Sequence, residues 1–109
     1  MAEPVTAKAV QDLPQRPRTV VREAAAAIRA ELGEATRVVW FGSWPRGDAR
    51  QRSDVDLAMD RDAAITPAEL ARARERVEDL STLYSVGLLA RDEVDERLRQ
   101  EIEREGIEL

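Results

Sequence analysis

The residues of this chain that are equipped for chemistry crowd into one stretch, VVWFGSWPRGDARQRSDVDLAMD, over residues 38–60. Asp54 and Asp56 stand one residue apart ahead of an apolar run. On a strand, side chains two apart share a face, which puts these two Cα atoms roughly 6–7 Å from each other. Two half-buried like charges at that spacing repel at a cost on the order of 1 kcal/mol, and a cation relieves the repulsion. A pair of carboxylates can hold one or two Mg²⁺ ions, and magnesium completes its shell from water and substrate phosphates. Gly42 and Ser43, after a buried apolar run, offer the complementary half. Glycine lets a phosphate approach the backbone, the exposed N–H groups of a following helical turn attract anions, and the Ser43 hydroxyl adds a donor. Arg46 lies three residues on and presents a guanidinium fork suited to phosphate oxygens. Ser53, just before the acids, is placed to contact phosphate or to cap the start of the strand. Arg46-Gly47-Asp48 also spells a cell-adhesion tripeptide, which reads here as coincidence.

Composition narrows the chemistry further. The chain has 109 residues, enough for one domain with one modest core. It contains no Cys and no His, which excludes thiol nucleophiles, zinc fingers and imidazole bases. Lys8 is the sole lysine and lies near the start, so Schiff-base and P-loop chemistry lack their residue. Carboxylate, hydroxyl, arginine and a hard metal ion remain. The net charge of −5 argues against general nucleic-acid binding, because phosphate-tracking surfaces are basic. The arginines are nonetheless clustered, with Arg46, Arg50 and Arg52 between the Gly-Ser step and Asp54, as suits a small anionic ligand. No apolar run is long enough to span a bilayer and no signal-peptide core opens the chain, so a cytoplasmic location is expected.

These groups need elements to position them. Residues 1–16, with Pro4 and Pro14 and no periodicity, read as a flexible N-terminal arm, and 17–109 as the domain. From Pro17 the spacing of Val20, Val21, Ala24, Ala25, Ile28 and Leu32 predicts an amphipathic helix that Gly33 stops. Arg37–Phe41 reads as a strand buried on both faces, residues 54–59 as a second, and residues 83–90 as a third. Between them Ser43 opens a short helical turn with Pro45 inside it. Thr66, Pro67 and Glu69 form a capping box for a helix that carries Leu70, Ala73, Val77 and Leu80 inward. Asp92 is expected to cap a last helix with the stripe Val94, Leu98, Ile102 and a stop at Gly106. Ile107 and Leu109 would close the core or serve a partner contact, with the core favoured. The result is an α/β (α+β) domain with a small sheet of about three or four strands flanked by helices.

Apolar-Gly-Ser, ten intervening residues and then Asp-x-Asp resembles the nucleotidyltransferase superfamily typified by DNA polymerase beta. FGSWPRGDARQRSDVDLAM looks most like its minimal bacterial branch, whose pattern is G-S-x-x-x-G followed by S-D-x-D-L. The resemblance runs from the first helix to the closing residues 103–109. It implies a nucleotidyltransferase fold in which Gly42 and Ser43 hold nucleotide phosphates and Asp54 and Asp56 hold Mg²⁺. It implies transfer of a nucleoside monophosphate, often AMP from ATP, onto a hydroxyl. It also implies a HEPN-domain partner, toward which such proteins act as antitoxins, in some cases by adenylylating a tyrosine, and hence a possible hetero- or homo-oligomer.

One element of the pattern is missing. The family carries a third carboxylate on the next strand, where this chain reads VGLLA over residues 86–90, with Gly87 in the acid's place and Ala90 where a second acid often stands. That carboxylate helps hold the metal that activates the attacking hydroxyl. Asp60 shares strand parity with Asp54 and Asp56 but sits roughly 13 Å beyond Asp56. Asp92 is expected at its helix cap instead. Two functions stay open: an active transferase, and an impaired module that binds nucleotide or masks a partner.

Overall fold

The computed structural model describes residues 10–47, 49, 50, 54–80 and 82–109. Helix α1 (Gln15–Leu32) leads into β1 (Arg37–Phe41), a single helical turn α2 (Ser43–Arg46), and β2 (Val55–Asp60). Then come α3 (Pro67–Glu78), β3 (Val86–Ala90), α4 (Glu96–Glu105) and a two-residue strand β4 (Ile107–Glu108). The four strands form one mixed sheet in the order β3-β2-β1-β4. β1 runs antiparallel to both β2 and β4, while β2 and β3, joined through α3, are parallel.

Alternation along the strands divides the core into two layers. Val38 and Trp40 of β1, Val55, Leu57 and Met59 of β2 and Leu88 of β3 all face α1 and α3, in one cluster with Ile28, Ala24 and Val77. The residues between them face the other way. Val39 and Ala58 meet Ile102 of α4, with Phe41, Leu89, Val94 and Leu98 packed around them. The expected burial of Arg37–Phe41 on both faces therefore holds for its three middle residues, the two ends being less covered. The same parity puts Asp56 and Gly87 on the α4 side of the sheet, which is the side that carries the cleft.

Several boundaries differ from the sequence reading, each for a local reason. Helix α1 begins at Gln15, with Pro17 in its first turn, and Leu13 is buried ahead of it, so packed residues precede Pro17. Residues 1–9 of the expected arm lie outside the described residues. Asp92 does not cap the last helix. It sits exposed in a short 3-10 turn, Arg91–Glu93, and Asp95 caps α4 instead by accepting the Leu98 N–H at 2.9 Å. Asp95 wins because the extended backbone at Val94 and Asp95 turns its carboxylate toward the free N–H groups of α4. Of the terminal residues, Ile107 is buried and pairs with Trp40, supplying the fourth strand, while Leu109 is only partly covered.

The capping box before α3 forms as the sequence predicts. The Glu69 N–H donates to Thr66 Oγ1 and the Thr66 N–H to Glu69 Oε1, each at 3.1 Å. Arg61 completes it, donating from Nη2 to Glu69 Oε1 at 2.5 Å and from Nη1 to the Leu32 carbonyl at 3.0 Å, which ties the start of α3 to the end of α1. The Arg61 guanidinium and the Thr66 N–H hold the Glu69 carboxyl down at about 2, below its ordinary value of 4.5. A depressed carboxylate stabilises the fold above its unfolded pKa and loses that contribution as pH falls through the folded value. The melting temperature of the parent should thus decline between about pH 4.5 and pH 2. Glu69→Gln should lower it at neutral pH and flatten that part of the acid limb; an unchanged limb in calorimetry would contradict the assignment.

One edge of the sheet is β3, the other the two-residue β4. The Val55 N–H donates to the Ser85 carbonyl, so alternate residues Ser85, Gly87 and Leu89 bond inward to β2 and Leu88 points its carbonyl outward. Arg74 of α3 covers that carbonyl, donating from Nη2 at 2.9 Å and Nε at 3.3 Å.

Candidate functional site

β1 delivers the chain to Gly42, whose φ of 89° and ψ of −150° lie in a region that essentially only glycine occupies. The turn it makes starts α2, and Gly47, in the left-handed region at φ 84°, ends that helix after four residues. Sequence chemistry fixes how this turn sits. Trp44 and Pro45 are buried, and Trp44 packs its ring 6.5 Å from Trp40 and 6.1 Å, edge to face, from Tyr84. The aromatic anchor holds the inner side of α2 to the core and leaves Ser43 and Arg46 lining the cleft.

β2 brings the acids to the same place. Asp56 pairs across the sheet with Phe41, the residue before Gly42, and on its other side with Gly87. Its carboxylate lies so close to the Gly42 backbone that a β-carbon there would stand 2.5 Å from Asp56 Oδ2. Gly42 is therefore required twice, once for its backbone angles and once for the space the carboxylate fills. Asp54, immediately before β2, lines the cleft beside it. Burial first, then the charge of Asp54, push the Asp56 carboxyl above the usual carboxylate range, and Arg46 partly offsets them. Asp56 thus feels the charges of both Asp54 and Arg46.

Five of the six residues singled out from the sequence, Gly42, Ser43, Arg46, Asp54 and Asp56, line one cleft of about 630 Å³. The sixth, Ser53, lies outside the described residues, as do Asp48 and Arg52 of the arginine-rich loop. Asp60 is excluded from the site by its own partners. At the far end of β2 it meets Arg91 at 3.5 Å and Arg37 at 3.9 Å.

The other wall of the cleft was not found by motif reading. Phe41, Leu89 and Leu98 give it an apolar surface, and Glu101 and Glu105 of α4 add two carboxylates. The signal was the spacing of Leu98, Glu101 and Glu105 at i, i+3 and i+7, which sets all three on one helical face. Motif reading stops at β3 and passes over α4.

The donor set can be tested against the metal that the family pattern implies. Asp54 and Asp56 fit a single Mg²⁺, because that ion needs few protein ligands and a cation relieves the strain recorded in the raised Asp56 carboxyl. A larger cage is not present: among the described residues no three acidic side chains converge as metal ligands. Gly87 accounts for this. It stands directly beside Asp56 in the parallel register, exposed and without a side chain, and a β-carbon there would lie 3.2 Å from Asp56 Oδ1.

Among the described residues, no helix is long and apolar enough to cross a membrane. No curated protein matches the chain. A family model does, that of "Polymerase beta, Nucleotidyltransferase", and its match over residues 25–109 takes in β1, the Gly-Ser turn, both aspartates and α4. With the turn and the paired acids meeting in one cleft on a mixed sheet, this chain belongs to the polymerase beta-type nucleotidyltransferase family.

Proposed function

We propose that the protein is a Mg²⁺-dependent nucleotidyltransferase that moves AMP from ATP onto a hydroxyl of a partner protein. The observation that carries this reading is the contact between the Asp56 carboxylate and the Gly42 backbone, which joins the acid pair to the phosphate turn. Ser43 and Arg46 receive the β- and γ-phosphates, with Ser43 donating its hydroxyl hydrogen and Arg46 its guanidinium N–H groups. Asp54 and Asp56 would hold Mg²⁺, which when bound neutralises phosphate charge and orients the α-phosphoryl group. Phe41, Leu89 and Leu98 exclude water on the side away from the phosphates. The acceptor oxygen bonds to the α-phosphorus, the bond to the β-phosphate oxygen breaks, and pyrophosphate leaves toward Ser43 and Arg46.

The motif's likeness to the minimal bacterial branch supports a biological setting as well. The protein acts as the antitoxin of a two-gene toxin–antitoxin pair in the cytoplasm, with a HEPN-domain toxin as partner and acceptor.

Gly87 favours a second reading, a nucleotide-binding or toxin-masking module with little turnover. The two separate in one experiment. The full chain is incubated with α-labelled ATP, Mg²⁺ and the product of the neighbouring gene, beside its Gly87→Asp variant. Efficient labelling by the parent supports the enzyme. A silent parent whose variant labels the partner at least about 100-fold faster, the scale of one proton-transfer group, supports the module.

A further inference from the structure

The transfer proposed above requires the acceptor hydroxyl to lose a proton as it attacks, and this inference rests on that reading. Asp54 and Asp56 would be taken up as ligands of the cation, and Gly87 offers no side chain. Two titratable groups remain among the described residues of the cleft, Glu101 and Glu105 of α4. Glu105 has a cationic neighbour, Arg104 Nη2 at 3.8 Å from its Oε1. Glu101 is partly buried, and no hydrogen bond or ion pair engages its carboxylate among the described residues. Its carboxylate oxygens are therefore open to a hydroxyl in the cleft, as a general base requires.

The helix that carries it is firmly placed. Ile102, the next residue, is 1% exposed and packs on Val39 and Ala58, and Leu98 packs beside them one turn earlier. Asp95 caps the helix, and the Gly106 N–H closes its other end onto the Ile102 carbonyl at 2.8 Å. Glu101 therefore projects from a rigid support into the cleft that holds the Gly-Ser turn.

We propose that Glu101 is the general base of the transfer: it accepts the proton of the attacking hydroxyl as the new oxygen–phosphorus bond forms and pyrophosphate departs. The acidic function absent from β3 is supplied from α4. A base at this position leaves the nucleotide's phosphates to the opposite wall and receives the acceptor on the α4 side.

The test uses the full chain with Mg-ATP and the neighbouring gene's product, reading kcat, KM for ATP and the thermal shift given by Mg-ATP alone. Glu101→Gln should lower kcat about 100-fold while KM and the thermal shift stay within about twofold of the parent. Glu101→Asp should retain part of the rate. Adding Gly87→Asp to Glu101→Gln should recover at least about tenfold, since a carboxylate then stands on the neighbouring strand. A merely structural role for Glu101 would lower kcat and binding together and show no such recovery. The proposal is overturned if Glu101→Gln labels at the parental rate, if the double variant recovers nothing, or if the parent binds Mg-ATP without labelling. Should the parent fail to bind Mg-ATP at all, the transferase reading falls first and the base with it.

Discussion

Saturating Mg-ATP should raise the melting temperature of the parent by about 10 °C or more, and Asp54→Ala should abolish that rise. A ligand at about 100 times its Kd stabilises the folded state by about 2.7 kcal/mol, and each kcal/mol shifts a domain of this size by about 4–8 °C. Asp54 carries the effect because the phosphates meet an acid pair: without cation bridging, the pair repels the nucleotide. ATP with a chelator should therefore shift the parent little. Asp56→Asn should behave differently from a simple loss. Its charge is disfavoured by burial and by Asp54, so the amide should leave the nucleotide-free protein as stable as the parent or better by on the order of 0.5 kcal/mol, about 2–4 °C. The Mg-ATP shift should nonetheless vanish. Differential scanning fluorimetry of the three proteins, with and without Mg²⁺, checks both statements. A full shift in Asp54→Ala would mean that the acids do not engage the nucleotide's cation.

Gly42→Ala should damage the fold and the site together. The backbone angles there cost a non-glycine residue on the order of 1–3 kcal/mol. The new methyl would also press on Asp56 Oδ2 at 2.5 Å, so the carboxylate must swing away or the turn must shift. Together these predict a loss of about 2–4 kcal/mol, or at least about 10 °C in melting temperature. The Mg-ATP response should disappear in the same protein. A control separates strain from site damage. Gly33→Ala also has a positive φ, 110°, but nothing lies within 4 Å of its β-carbon. It should lose stability through backbone strain alone and keep its full response to Mg-ATP.

The contrast between those two glycines marks where a sequence can be read and where it cannot. Gly42 and Ser43 could be placed because an apolar run ends at them and a phosphate needs a bare backbone. Asp54 and Asp56 could be placed because strand periodicity is strict. Thr66, Pro67 and Glu69 formed their capping box because all the partners lie within four residues. What escaped was tertiary. Asp92 and Asp95 are equally good caps by type, and only the course of the backbone after β3 decides between them. Glu101 and Glu105 sit among 22 acidic residues, and their spacing from Leu98 gives a shared helical face without saying what that face meets. They become part of the cleft only because α4 crosses the face of the sheet that Asp56 occupies. Two-residue β4 was invisible for a related reason: its hydrogen bonds belong to β1, some seventy residues earlier.

Arg74 at the margin of β3 has a consequence for how this protein meets others. A guest strand seeking to extend the sheet there would first have to evict a guanidinium already doubly bonded to the Leu88 oxygen, and would trade two charged hydrogen bonds for a neutral one. Growth by strand addition on that side is thereby discouraged, which guards against self-templated fibres and leaves companions to approach through side chains.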